Sequence, residues 1–238
     1  MSEARRSPLP AAIAGGFIGA ALTAAFILFA APQFLSRQIV REGLLADPQV
    51  LVDTADALRD RQYAPTIAAN RAALERPFAS SWKGAAKPEV VLVEFYDYAC
   101  PYCKASNPHV EQLLKEIPEL RVVYRELPIL GPHSVAAARL SLAASRAGRF
   151  AQFHDALYAA GRPAPDTNAA AARIAGVPAA VPQDPAAEAE LKRNFELAGR
   201  LGATGTPLFV VGDRVLNGAV GYEALKKAVE DARSNGRG

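Results

Sequence analysis

The sequence predicts an α/β fold in which a helical insertion interrupts a mixed sheet, preceded by a membrane-length apolar segment and a helical arm. Three observations carry this. The apolar run Val90–Tyr96 (VVLVEFY) leads straight into Cys100-Pro101-Tyr102-Cys103 and a helix. A second run, Arg121–Leu127 (RVVYREL), is parted from a third at Pro207–Val211 by a long stretch of helical periodicity. A parallel crossover needs a dozen or more residues, and far more are available here. Finally, the chain carries no charge from Ser7 to Ser36.

From the N-terminus, Ala11–Ala31 contains Thr23 as its one polar side chain. At about 1.5 Å per residue it spans roughly 30 Å, the thickness of a bilayer core. Arg5 and Arg6 precede it and keep the N-terminus inside by the positive-inside tendency. The segment therefore reads as a single-pass inner-membrane anchor with everything after it in the periplasm. The alternative is a cleaved signal peptide and a soluble periplasmic protein, but cleavage near Ala30 or Ala31 places Leu28 or Phe29 where small residues are expected.

Residues 33–76 read as helices. Ile39, Val40, Leu44 and Leu45 form one apolar stripe. Asp47-Pro48 has the pattern of an N-cap with proline at the first helical position. Val50, Leu51, Ala55 and Leu58 form the next stripe, and Ala64–Leu74 a third helix. Stripes outside a core need a partner, so this arm is expected to mediate self-association, and removal of 1–76 to leave a folded monomer. Pro77–Pro88 reads as a loop or weak strand. After Cys100, Pro101 opens a helix with core residues Val110, Leu113, Leu114 and Ile117, kinked at Pro108. Helical periodicity follows in Val135–Ala144, Phe150–Ala160, Ala169–Ile174 and Ala187–Leu201. A Gly212-Asp213 turn, Val215–Leu216 and a helix from Tyr222 to about Ala232 close the chain. The boundaries are 1–10 cytoplasmic, 11–31 anchor, 32–78 arm and 79–238 domain, with the insertion at about 130–203.

Cys100 and Cys103 are the chain's two cysteines. Strand, CxxC and helix in that order is a redox arrangement. Unpaired N–H groups at a helix start stabilise a thiolate at Cys100, and Cys103, one turn on, becomes the less exposed resolving thiol. A structural disulfide over so short a loop constrains little of the unfolded chain. Zinc lacks a second CxxC. Cu(I) suits soft thiolates and stands as an alternative role. His109, His133 and His154 read as surface or capping residues, and Phe95, Tyr96 and Tyr98 as core or groove wall. The net charge of +3, with no basic run, gives no case for nucleic acid.

FYDYACPYCKASNP, with Pro108 five residues after the second cysteine, resembles the active-site segment of thioredoxin-fold proteins. Glu94, six residues before Cys100, resembles the buried acid of the DsbA family, and TGTPLFVVGDRVLNGAVGYEAL resembles its cis-proline loop and final hairpin and helix. VREGLLADPQVLVDTADAL and RELPILGPHSVAAARLSLAA resemble a subgroup with an N-terminal helical arm, which includes ScsC-like proteins. The resemblance implies a thioredoxin fold with a DsbA-like helical insertion, and catalytic roles for Cys100, Cys103, Thr206, Pro207 and Glu94. Thr206-Pro207 would form a cis bond exposing the Thr206 backbone to an extended substrate. Glu94 is then either a satisfied buried acid or a proton relay for Cys103.

The implied activity is thiol–disulfide exchange on cysteine-containing exported proteins, with the redox-active disulfide in place of any cofactor and a DsbB-like or DsbD-like membrane partner. Dithiol oxidase is the leading expectation, with isomerase or reductase as the alternative. Tyr102 stands where the best-known oxidases carry His, and Thr206 where they carry Val. Both departures point to a less oxidising pair.

Overall fold

The computed structural model describes residues 31–180 and 184–236. The described residues fall into two compact units that divide between Ala57 and Leu58. In the first unit, α1 (Ala31–Ala46) is followed by the start of α2 (Gln49–Glu75). The Asp47 carboxylate accepts from the Gln49 N–H at 3.2 Å, an N-cap ahead of Pro48. Ile39, Val40, Leu45, Val50 and Leu51 stand exposed along these helices. Of the apolar segment 11–31, all but Ala31 lies outside the described residues. Among those described, no helix is long and apolar enough to cross a membrane.

The second unit is built on five strands, β1 (Trp82–Gly84), β2 (Val90–Tyr96), β3 (Leu120–Glu126), β4 (Leu208–Val211) and β5 (Arg214–Asn217), ordered β1-β3-β2-β4-β5. β2 and β3 are parallel and the other pairs antiparallel. Their connection is α3 (Pro101–Glu116). The insertion between β3 and β4 holds α4 (Pro132–Arg146), α5 (Phe150–Ala160), α6 (Pro165–Ala175) and α7 (Pro185–Arg200), and α8 (Tyr222–Ser234) closes the chain.

Central β2 is buried along its whole length, which is why its sequence runs apolar without alternation. Its side chains still sort by the two-residue period. Val90, Leu92 and Tyr96 enter a core with α3, α4, α5 and α8, which also holds Cys100 and Cys103. Val91, Val93 and Phe95 enter a second core. Glu94 is in phase with the first set, on the cysteine side of the sheet.

The second core corrects two expectations. The expected third helix is the continuation of α2 through Pro65, which is exposed, so solvent meets the backbone carbonyl its ring leaves unpaired. Ile67 and Leu74 from that half of α2 are buried with Leu197 of α7 and Leu201 at its C-cap, in the same core as Val91, Val93 and Phe95 of β2. Removal of 1–76 would strip this layer from the sheet, so a folded monomer is no longer expected from it. Arg125 fastens the same layer. Its guanidinium donates to Glu190 at 2.8 Å and Asn194 at 2.9 Å on α7, and to the carbonyls of Ala73, Leu74 and Arg76 at the end of α2.

Candidate functional site

The Asp97–Cys100 loop is set by Asp97. Its backbone carbonyl accepts from the Cys100 N–H at 2.9 Å. Its buried carboxylate accepts from the N–H of Ala99 at 2.8 Å and of Leu130 at 2.9 Å, tying this loop to the one after β3. Cys100 is thereby the N-cap of α3, extended at φ −78° and ψ 119°, with Pro101 next. The first-turn N–H groups, which have no helical partner, put the positive end of the helix dipole beside it, although its sulfur makes no cap hydrogen bond. The Cys100 thiol donates to the Thr206 carbonyl at 3.2 Å, across the cis Thr206-Pro207 bond that leads into β4.

Both cysteines are thiols. Cys103 is fully buried, against 4% exposure for Cys100. Burial pushes the Cys103 thiol far up and Glu94, once ionised, pushes it further, while the Asp97 backbone and the Thr206 hydroxyl oppose this by hydrogen-bonding the sulfur. Burial also pushes Glu94 up to about 8, with Lys83 pulling the other way. Neither carboxyl oxygen of Glu94 has a hydrogen-bond partner. The structure thus brings Cys100, Cys103 and Thr206 into contact and sets Glu94 within electrostatic reach of Cys103. An uncharged acid beside a buried thiol can exchange a proton with it as the thiol becomes a thiolate.

Sequence reasoning missed a second polar cluster on the same side of the sheet. Glu126, at the end of β3, is buried and accepts a short hydrogen bond from Tyr96. His154 is buried too, which corrects its reading as a surface or capping residue. Its ring centroid lies 4.8 Å from that of Tyr124, 4.9 Å from Tyr158 and 5.5 Å from Tyr96. Burial drives its pKa down, toward the neutral imidazole. The sequence held signals for both. Glu126 shares the strand phase of Val122 and Tyr124, and His154 lies on the helical stripe of Phe150, Phe153 and Leu157.

Among the described residues, no group of three or more His, Cys, Asp or Glu could hold a metal ion. Three large apolar side chains stand exposed, one of them between the cysteines in the chain. Tyr102, in the first turn of α3, and Ile129 and Leu130, in the loop tied to Asp97, are each more than two-fifths exposed.

Residues 91–230 match the family model described as a DSBA-like thioredoxin domain. Over 171 residues the chain is 33% identical to the Na(+)/H(+) antiporter NhaA 1 of Salinispora arenicola, covering 63% of this chain and 24% of the antiporter. It therefore spans about a quarter of that curated relative. A periplasmic thioredoxin-like protein from Salmonella enterica serovar Typhimurium superposes with a TM-score of 0.64 at 33% identity, covering 69% of this chain and 95% of that one. Proteus mirabilis ScsC in a transitional conformation gives 0.67 at 28% identity, over 87% and 99% of the two chains.

Proposed function

Because the chain belongs to the family of DSBA-like thioredoxin domains, and so to the thiol–disulfide oxidoreductases, we propose that it serves as a dithiol oxidase for exported, cysteine-containing proteins. The observation that carries this is the pairing of an N-cap thiol at Cys100 with a buried Cys103 beside uncharged Glu94. A substrate thiolate attacks the Cys100 sulfur of the Cys100–Cys103 disulfide. The S–S bond breaks, and Cys103 leaves as a thiolate that takes a proton from Glu94. A second substrate thiolate then attacks the substrate sulfur of the mixed disulfide and expels Cys100 as a thiolate. The substrate has lost two electrons and the pair has gained them. A membrane redox partner of the DsbB-like kind removes them.

Exposed Tyr102, Ile129 and Leu130 suit unfolded chains, whose apolar side chains are still exposed. The exposed stripes of α1 and α2 support self-association. Basic Arg5 and Arg6 ahead of the apolar segment support anchorage in the inner membrane with the redox domain in the periplasm.

A second reading, an isomerase or reductase held reduced by a DsbD-like partner, is favoured by the Thr206 hydroxyl on Cys103. Trapping the Cys100–Cys103 pair in living cells with a thiol-reactive tag decides between them. The oxidase reading expects a mostly oxidised pair, and a mostly reduced pair overturns it.

A further inference from the structure

The Cys103 thiol gains a proton each time its disulfide is reduced and gives one up each time the disulfide forms again. Cys103 has no exposed surface and Glu94 is 1% exposed. That proton therefore has to cross the protein in each half of the cycle.

A further set of polar atoms lies on the same side of the sheet. Among the described residues, the Tyr158 hydroxyl and His154 Nε2, like both carboxyl oxygens of Glu94, are buried without a hydrogen-bond partner. Tyr158 and His154 also line a cleft of about 410 Å³ between α3 and α5, with Lys104, Pro108, Glu111 and Asp155. Lys104, Pro108 and Asp155 are exposed, so the cleft is open to water.

We propose, on the reading of Glu94 as the proton partner of Cys103, that Tyr158 is the relay through which this pair exchanges its proton with water in the cleft. Tyr158 belongs to both ends of the route. It lies in the core that holds Cys103, and the charges of Cys103 and Glu94 both bear on its hydroxyl. Its ring centroid is 4.9 Å from that of His154, one helical turn earlier on α5.

The groups around the cleft fix the outer end. Lys83 is engaged by Glu111 and Asp155 at 2.6 Å each. The Asp155 carboxylate also accepts from His154 Nδ1 at 3.0 Å. Nε2 of the neutral ring is left with a lone pair, which can accept one proton of a cleft water. Buried polar atoms with room beside them take up water, and a bridging water carries a contact that two side chains do not make directly.

On reduction, Glu94 gives its proton to the departing Cys103 thiolate. The Glu94 carboxylate is refilled through a bridging water from the Tyr158 hydroxyl, whose oxygen takes a proton from the cleft water. On reoxidation the same protons move outward. Only O–H and S–H bonds change in these transfers, and Tyr158 ends each passage as the phenol it began as.

Oxidation of the reduced full chain by oxidised glutathione tests this at pH 7. Rapid quenching and mass spectrometry separate the glutathione adduct on Cys100 from its conversion to the Cys100–Cys103 disulfide, the step in which Cys103 loses its proton. E94Q should slow that conversion about a hundredfold, the lower end of what a positioned acid–base group contributes. Tyr158→Phe, which keeps the ring packed on Tyr98 and His154, should slow it by at least about tenfold, with adduct formation and the thermal melt held near wild type. E94Q/Y158F should match E94Q within about twofold, because two breaks in one path do not add. A wild-type conversion rate in Y158F with E94Q slow would leave Glu94 its role and overturn the relay. Wild-type conversion in E94Q would remove Glu94 from the chemistry, and the relay with it. Slowing that multiplies in the double variant, or that affects adduct formation equally, would show that Tyr158 acts on the fold instead and would overturn the proposal.

Discussion

The sulfur of Cys100 sits 3.2 Å from the backbone carbonyl of Thr206, although 106 residues separate the two in the chain. This contact joins the start of α3 to the entry of β4, the two ends of the sheet fold that the helical insertion keeps apart. It also places a backbone acceptor beside the reacting sulfur, where an extended substrate segment can pair with residue 206 while its own sulfur meets Cys100.

Cys100 should be alkylated well before Cys103 in the reduced protein. Cys103 has no exposed surface, and its thiol is pushed up by burial and by Glu94. Iodoacetamide pulses analysed by peptide mass spectrometry should find the label on Cys100 alone until the fold opens. Early label on Cys103 would reverse the assigned roles.

Glu94 makes reduced-protein stability fall with rising pH. In the fold it keeps its proton to about pH 8, against a value near 4.5 when solvated. Between these the native state binds more protons than the unfolded chain, so its contribution is whole below pH 4.5 and gone above about 8. Glu126 shares this window and is unchanged in E94Q. Urea denaturation should therefore show E94Q gaining on wild type between pH 5 and 8.5, by on the order of 3 kcal/mol. A constant difference across this range would show that Glu94 is already ionised.

Much of this site was legible in advance because CxxC at a strand-to-helix junction fixes its own geometry. The run Val90–Tyr96 and the helix Phe150–Ala160 lie where the apolar periodicity places them. Periodicity gives the phase of a side chain but not what covers it. That is why Ile67 and Leu74 read as part of an arm, when α7 and the sheet bury them. His154 and Glu126 were missed for the converse reason. Each sits in the apolar phase of its element, but a polar residue there becomes interpretable only once Tyr96, Tyr98 and Ser141 arrive from elsewhere in the chain.

Arg125→Met should be strongly destabilising. The guanidinium is 1% exposed, paired with Glu190, and caps carbonyls at the end of α2. Removing one partner of a buried pair costs about 3–5 kcal/mol. A thermal melt should show a large drop, smaller in R125M/E190M, where no uncompensated charge remains. A double variant as unstable as the sum of the two singles would deny the coupling.

Thr206→Val should slow reduction of the Cys100–Cys103 disulfide by a thiol peptide. The lost hydroxyl hydrogen-bonds the Cys103 sulfur and so stabilises it as the leaving thiolate, a contribution of about 1 kcal/mol or roughly fivefold in rate. The residue 206 carbonyl that faces Cys100 is retained. Stopped-flow mixing with a cysteine peptide reads the rate directly, and an unchanged rate would remove Thr206 from the chemistry.

The exposed stripes of the first unit lead to the last prediction. Ile39 is 64% exposed, Leu45 69% and Leu51 56%, and large apolar side chains left exposed in such number are a surface that water disfavours. Burying each against another copy gains about 1.5–3 kcal/mol per side chain before the cost of association. Light scattering should give a multiple of the chain mass for residues 31–238 and the monomer mass for 58–238, which keeps Ile67 and Leu74. Ile39→Glu with Leu45→Glu should dissociate the longer chain while leaving Cys100 alkylation unchanged. Monomeric mass for 31–238 at micromolar concentration would show that these stripes do not bring copies together.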